Sequence, residues 1–180
     1  MSHDLSAALA DPDPHAALAA LEALVQATVG ARHYTVMALD PDTGMARRVW
    51  TSDPDTYPVG GEKPLPENRW TEIVIRARRT WVANAPAEVA ELLFDHATIA
   101  RLGCGAALNL PVTVGGRVIG TVNLLDRAGH FTPDRVAAAE ALRLAPALSG
   151  PAWVLTLDQF AGRGRRGRVW QMPAGNFAAT

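Results

Sequence analysis

The sequence predicts an α+β domain in which helices flank a central antiparallel β-sheet. Two strand hairpins, over residues 32–52 and 106–125, supply most of the sheet, and each contains residues that suit a sharp turn. One helix precedes the first hairpin, another follows the second, and partly helical chain lies between the hairpins. The resulting order, α-β-β-(α)-β-α-β-β-α, predicts that the terminal helices pack on one face of the sheet.

The first helix follows the acid–proline stretch DPDP and ends at Gly30. Its apolar residues repeat at helical spacing: Leu18, Leu21, Leu24 and Val25. The segments RHYTVMALD (32–40) and MARRVWTS (45–52) then read as two strands, and PDTG between them reads as a turn. These residues predict the first hairpin.

The chain between the hairpins has a less regular pattern. The segment DPDTYPVGGEKPLPEN (53–68) is predicted to be a long loop, and loops of this length in a compact domain are often functional. RWTEIVIRARRT (69–80) is predicted to be a short helix, and WVANA (81–85) a short strand. PAEVAELLFDHATIARLG (86–103) starts with proline and ends on glycine, which predicts one helix.

The second hairpin has the strongest local signal. AALNLPVTV and RVIGTVNLL are joined by Gly115 and Gly116, a two-residue turn. The last helix is predicted to start at Thr132 and Pro133. We therefore assign residues 1–150 to a single domain and residues 151–180 to a C-terminal extension.

Composition limits the classes of protein that fit. The chain has 180 residues, 48% of them hydrophobic and 19% charged, with a net charge of −1. This predicts a folded core and no general attraction to nucleic acid or anionic membranes. A single cysteine excludes an intramolecular disulfide and a CxxC zinc site, and no histidine spacing suggests a metal site. The first residues lack an apolar signal segment, and no run is long enough to span a membrane, so we expect a cytoplasmic protein.

The second hairpin and the residues after it also resemble a known family. LNLPVTVGGRVIGTVNLLDRAGHFTPDRV is similar to the end of a GAF domain, through Pro111, Gly116, Gly120, Phe131 and Asp134. The resemblance extends over roughly residues 15 to 148, and other segments are similar to small stand-alone bacterial GAF proteins. It implies a GAF/PAS-like sheet with a small-molecule pocket, but no particular ligand or cofactor.

Ten residues are candidates for ligand binding. They are Tyr57, Lys63, Trp70, Trp81, Phe94, Asp95, His96, Cys104, Asn109 and Asn123. The two asparagines interrupt apolar strands, where a buried amide needs a partner. They either contact the ligand or hold neighbouring segments in place. The aromatic residues would form pocket walls or simply pack in the core.

Cys104 and Asp95 are the candidates for chemistry. Cys104 lies between two glycines at a helix-to-strand junction, which suits a thiol at the mouth of a pocket. A buried, unreactive cysteine is the alternative. Asp95 and His96 are adjacent in the same predicted helix and point about 100° apart, so spacing alone does not make them a pair. His96 falls on the apolar face, whereas Asp95 either reaches the pocket or faces solvent.

Two further features concern partners. GRGRRGR (162–168) carries four arginines with glycine spacers, and we interpret it as a tail or partner-docking arm rather than a nucleic-acid site. The terminal helices are rich in alanine and leucine, which favours close packing, so we expect a homodimer through them.

Two classes of function remain open on the sequence. The first is a ligand sensor or regulatory module that binds a small organic molecule. The second is a small enzyme on the same scaffold, acting on a small organic or redox substrate with Cys104 or Asp95 in its site. Fold alone does not choose between them, because function depends on the chemistry of the site.

Overall fold

The computed structural model describes residues 13–40 and 42–144, which belong to two compact units. In the first unit, residues 1–24 with 146–180, the described part is the start of a helix. The second unit, Val25–Ala145, contains all the described strands. The elements are α1 (Pro14–Thr28), β1 (His33–Asp40), β2 (Met45–Thr51), β3 (Glu62–Pro64), α2 (Arg69–Thr71), a π-helical segment (Glu72–Arg76), β4 (Trp81–Ala83), α3 (Pro86–Leu92), α4 (His96–Arg101), β5 (Ala106–Val114), β6 (Arg117–Asp126) and α5 (Pro133–Leu144).

Six strands form one sheet in the order β3-β2-β1-β6-β5-β4. All five neighbouring pairs are antiparallel. The two predicted hairpins, β1–β2 and β5–β6, are joined at the centre of the sheet by the pairing of β1 with β6. The predicted α+β class, an antiparallel sheet flanked by helices, is confirmed.

Three glycines explain how the second hairpin fits the sheet. Gly115 and Gly116 form its turn with φ of +55° and +76°, a left-handed region that glycine enters without steric cost. This is the two-residue turn that the sequence predicts. At Gly120 a Cβ atom would lie 2.5 Å from the carbonyl oxygen of Met37, so β1 and β6 could not pair as closely with any other residue there.

The single helix predicted over residues 86–103 is wrong, because the structure has two helices, α3 and α4, with a break between them. Leu93 is extended, with φ −100° and ψ 115°. The carbonyl of Leu92, which would continue the helix, instead accepts a hydrogen bond from the Asn68 side chain at 3.0 Å. The break therefore results from a tertiary contact, and it turns Phe94 and Asp95 away from a helical path.

The chain between β2 and β4 also differs in detail from the prediction. The predicted loop 53–68 contains the short edge strand β3, in which Lys63 pairs with Ala46. The predicted helix over 69–80 is the short helix α2 followed by the π-helical segment. The Asn68 side chain caps α2 by accepting a hydrogen bond from the backbone N–H of Trp70 at 2.9 Å.

The last described helix begins where the sequence predicts. The Thr132 hydroxyl accepts from the backbone N–H of Arg135 at 3.5 Å, and its carbonyl accepts from Val136 at 2.9 Å. The C-terminal extension 151–180, with its GRGRRGR segment, lies outside the described residues, so its assignment stays a prediction. Within the part of the chain that the structure describes, no helix is long and apolar enough to cross a membrane.

Candidate functional site

A cavity of about 80 Å³ lies between one face of the sheet and two covering segments, residues 57–70 and 92–99. The sheet contributes His33, Thr35, Met37, Leu39, Ala46, Arg48, Asn109, Thr121, Asn123 and Leu125. The edge strand β3 contributes Lys63 and Pro64, and the covering segments contribute Tyr57, Leu65, Pro66, Trp70, Leu92, Leu93, Phe94, Asp95 and Ile99. The wall is mainly apolar, with polar groups at a few positions, which is typical of a small-molecule site.

Strand register brings three polar side chains into one row across the floor of the cavity. Asn123 in β6 lies directly opposite Asn109 on one side and Thr35 on the other. Directly opposite residues of antiparallel strands place their side chains on the same face of the sheet. The two amides that interrupt the apolar strands are therefore neighbours.

These side chains form a hydrogen-bonded series, which we call the amide ladder: Trp70, Asn109, Asn123 and Thr35. The indole Nε1 of Trp70 donates to Asn109 Oδ1 at 2.7 Å. Asn109 Nδ2 donates to Asn123 Oδ1 at 3.0 Å, and Asn123 Nδ2 donates to Thr35 Oγ1 at 3.4 Å. The ladder links the covering segment to three strands of the sheet, so it supports the cavity as well as lining it.

The chemistry of the indole fixes the direction of the ladder. Trp70 Nε1 only donates, so the oxygen of the Asn109 amide must face it. The Asn109 nitrogen then faces Asn123, whose oxygen must accept, and the Asn123 nitrogen faces Thr35. One N–H on each amide nitrogen and the hydroxyl proton of Thr35 are not used in the ladder. These groups are the polar donors on the cavity floor.

The other end of the cavity carries charged groups. The Tyr57 hydroxyl donates to Asp95 Oδ2 at 3.2 Å, and the Arg48 guanidinium lies 4.8 Å from the centre of the Tyr57 ring. Lys63 Nζ lies 5.0 Å from the centre of the Phe94 ring. Both cations therefore make cation–π contacts with aromatic residues of the covering segments.

Burial changes the protonation behaviour of three of these groups. It raises the pKa of Tyr57 well above its usual value, and the nearby Asp95 carboxylate raises it further, so Tyr57 stays protonated. Burial lowers the pKa of Lys63, an effect that Asp95 opposes and Arg48 reinforces. Burial also lowers the pKa of Arg48, while Tyr57 and Asp95 oppose that change.

The helix break explains how Asp95 reaches the cavity. In the predicted continuous helix, Asp95 and Phe94 would follow the helical rotation. In the structure, Leu93–Asp95 form the link between α3 and α4, and the carboxylate of Asp95 meets Tyr57 across the cavity. Phe94 remains 68% exposed, with Lys63 against its ring. The link thus forms part of the rim.

Seven of the ten predicted ligand-binding residues line this cavity. They are Tyr57, Lys63, Trp70, Phe94, Asp95, Asn109 and Asn123. Among the described residues, Trp81, His96 and Cys104 do not line it. Trp81 is buried in the same apolar cluster as Trp70. His96 lies at the start of α4, where its Nδ1 is 3.0 Å from the carbonyl oxygen of Leu93.

Cys104 is a core residue rather than a thiol at the cavity mouth. Its side chain is 6% exposed, and its Sγ donates to the carbonyl of Leu102 at 3.8 Å. Burial raises the pKa of the thiol, the Asp126 carboxylate raises it further, and Arg32 opposes the change. This environment disfavours the nucleophilic thiolate. The structure therefore does not bring the two proposed chemical groups, Cys104 and Asp95, together in the cavity.

Four polar residues of the lining were not among the predicted site residues: His33, Thr35, Arg48 and Thr121. Thr35 and Thr121 share the cavity face with Asn123, and simple strand alternation around Asn123 could have identified them. Arg48 alternates with Ala46 in β2 and pairs with Met37, so the same alternation places it on the cavity face. Within the described residues, no cluster of histidine, cysteine and acidic side chains could hold a metal ion.

Comparison with known proteins identifies relatives of this fold. A family model of the GAF domain matches residues 15–143. The chain is similar to the GAF domain of a sensor histidine kinase from Bacillus halodurans, with a TM-score of 0.59 and 13% identity over 72% of this chain and 88% of that one. It is also similar to the GAF domain of a phosphoenolpyruvate-protein phosphotransferase from Coxiella burnetii, with a TM-score of 0.60 and 16% identity over 78% and 83%.

Two further matches are a GAF domain with a bound bilin and a short stretch of a ligase. The phycoerythrobilin-bound GAF domain of a cyanobacterial phytochrome matches with a TM-score of 0.57 and 12% identity, over 77% of this chain and 86% of that one. A stretch of 42 residues is 79% identical to a biotin–acetyl-CoA-carboxylase ligase from Paracoccus denitrificans. That stretch is 23% of this chain, and the chain spans only 18% of the ligase.

Proposed function

The chain belongs to the GAF domain family, whose members are generally ligand-binding sensory or regulatory modules, and we propose that it binds a small organic molecule in the cavity beneath residues 57–70 and 92–99. Binding there would serve a sensory or regulatory role rather than catalysis. The observation that carries this proposal is the amide ladder on the cavity floor.

The ladder supports ligand binding because it places polar donors on a face of the sheet where apolar side chains alone would be sufficient for packing. Asn109 is 4% exposed, and Thr121 beside it is 2% exposed. A buried amide stabilises a fold only when its hydrogen bonds are made. The ladder pairs the oxygen and one N–H of each amide, and it leaves the second N–H of each unused on residues that line a cavity with mainly apolar walls. Such a combination suits a ligand that has one polar and one apolar part.

The covering segments offer a route from binding to a signal. The two segments are linked to each other by hydrogen bonds from the Tyr57 hydroxyl to Asp95 and from the Asn68 side chain to the Leu92 carbonyl, at 3.2 and 3.0 Å. A ligand that contacts both the sheet and these segments favours the closed arrangement over any more open one. The rim would then change its position or mobility with ligand occupancy.

The alternative, a small enzyme, depends on Asp95. Of the two residues expected to carry chemistry, only Asp95 lines the cavity, and its carboxylate is bound to the Tyr57 hydroxyl. No acid–base pair with Cys104 is formed in the described residues. Turnover of a bound molecule that is abolished by Asp95→Asn would support the enzyme and contradict the sensor.

Native mass spectrometry of the purified chain tests the proposal. We expect an additional mass from a small organic molecule, which organic extraction releases for identification. Ala46→Leu adds three carbon atoms to a residue that lines the cavity, so this variant should lose the additional mass. Ala38→Leu is the matched control, since Ala38 lies in the centre of the sheet but does not line the cavity. Equal ligand content in both variants would contradict the proposal.

A further inference from the structure

The two cations of the cavity lining have donors without an oxygen acceptor. Arg48 donates from one terminal nitrogen to the carbonyl of Pro58 at 3.1 Å, but its Nε is buried and has no hydrogen-bond partner among the described residues. Lys63 Nζ makes no hydrogen bond or ion pair with any other described residue, and its contact is the face of the Phe94 ring. Buried donors are normally paired, so Arg48 Nε lacks an acceptor at this end of the cavity, where the partly exposed Lys63 ammonium group is the second donor.

The charges of the lining indicate the sign and size of that acceptor. Arg48 and Lys63 bring two positive charges, whereas Asp95 brings one negative charge and is already bound to Tyr57. His33, at the edge, lies 3.4 Å from the carboxylate of Asp53, which compensates its charge when it is protonated. One further negative charge would balance the lining.

The donors favour a carboxylate over a phosphate. The charged end supplies the Lys63 ammonium group and the buried Nε–H of Arg48, and these can bind the two oxygens of a carboxylate. A phosphate group carries up to two negative charges and three acceptor oxygens, and it would have to approach Asp95 on the same wall. The cavity, at about 80 Å³, also favours a compact molecule.

We propose that the cavity binds a small organic carboxylate, with its carboxylate group on Lys63 Nζ and Arg48 Nε and its opposite end on the free donors of the amide ladder. This inference rests on the proposed function, because it specifies the ligand class for the same cavity. The lowered pKa of Lys63 agrees with it, since burial without an anion disfavours the charged ammonium. A bound carboxylate would raise that pKa again.

The sequence provides a direct probe, because Lys63 is the only lysine in the chain. Labelling with [13C,15N]lysine therefore gives a single side-chain spin system in the NMR spectrum of the full chain. The probes are sodium acetate, the neutral analogue acetamide, sodium chloride at equal ionic strength and inorganic phosphate. We expect a saturable shift of the Lys63 Cε signal with acetate, and at least tenfold weaker effects with the other three.

Two variants connect the shift to the cavity. Arg48→Gln should weaken acetate binding at least tenfold, whereas Arg69→Gln, which removes the same charge from a side chain that is 73% exposed and outside the lining, should leave it unchanged. If Arg48→Gln does not fold, as judged by circular dichroism, Lys63→Met replaces it, with the indole N–H signal of Trp70 as the readout. Loss of the acetate response in that variant supports the proposal.

The outcomes separate this inference from the proposed function. No saturable shift with acetate up to about 100 mM, an equal response to acetamide, a stronger response to phosphate, or unchanged binding in Arg48→Gln, or in Lys63→Met where it replaces Arg48→Gln, would overturn the carboxylate assignment. The proposed function would still stand if a neutral molecule copurifies with the wild type and is lost in Ala46→Leu. It would fall together with this inference if no molecule of either kind binds the cavity.

Discussion

Replacing Asn109 by leucine should strongly destabilise the fold, although leucine has nearly the same shape as asparagine. Asn109 is 4% exposed, accepts from Trp70 Nε1 at 2.7 Å and donates to Asn123 Oδ1 at 3.0 Å. Leucine leaves a buried donor and a buried acceptor unpaired, and each such group costs about 1–3 kcal/mol. Leucine also buries more apolar surface than asparagine, which offsets part of the cost of the two unpaired groups. We therefore expect the free energy of unfolding to fall by about 2–4 kcal/mol.

Urea denaturation followed by circular dichroism measures this loss, and a double-mutant cycle assigns it to the ladder. Trp70→Phe removes the indole N–H, so the combined variant has one unpaired group fewer than Asn109→Leu alone. We expect the two changes together to cost about 1–2 kcal/mol less than the sum of the single costs. A cost of Asn109→Leu below about 0.5 kcal/mol, or additive costs in the cycle, would refute the role given to the ladder.

Four further expectations follow from other contacts. Tyr57→Phe removes the hydrogen bond of 3.2 Å from the Tyr57 hydroxyl to Asp95, so it should lower the free energy of unfolding by about 0.5–1.5 kcal/mol. It should also speed amide hydrogen exchange at Asp95, and an unchanged exchange rate would contradict this expectation. Gly120→Ala should cost about 1–3 kcal/mol in urea denaturation, because its Cβ would lie 2.5 Å from a backbone oxygen. Cys104, buried and with a raised pKa, should react with an aromatic disulfide reagent at pH 8 at least about tenfold more slowly than a free thiol, and equal rates would contradict its core position. The pKa of Lys63 is lowered in the folded state, so this side chain binds fewer protons there than in the unfolded chain. Its contribution to the free energy of unfolding should therefore rise as the pH rises towards the usual pKa of lysine, and Lys63→Met should flatten that part of a profile of stability against pH.

Local signals were sufficient to predict most of the sheet from the sequence. Alternating residues and turn glycines define β1, β2, β5 and β6, and the threonine–proline pair before α5 defines its start. The same alternation places Asn109 and Asn123 together, because their strands pair directly through the turn at Gly115 and Gly116. These features depend on residues that are close in the sequence, so the order of residue types along the chain is sufficient to predict them.

Features that depend on distant residues were not predicted. The break at Leu93 follows an apolar run without proline or glycine, and it arises from the hydrogen bond between Asn68 and the Leu92 carbonyl. Cys104 lies beside glycines in the sequence, yet the fold around it is closely packed. In these cases contacts with residues distant in the sequence determine where the residue lies, and the spacing of residue types along the chain does not show such contacts.

A crystal structure of the chain as purified tests the central claim most directly. We expect density for a small organic molecule between the sheet and the covering segments. An oxygen of that molecule should lie within hydrogen-bond distance of Lys63 Nζ, and the molecule should make a second contact with Asn109, Asn123 or Thr35. A cavity closed by side chains, or a copurified molecule bound elsewhere on the chain while the cavity holds only water, would contradict it.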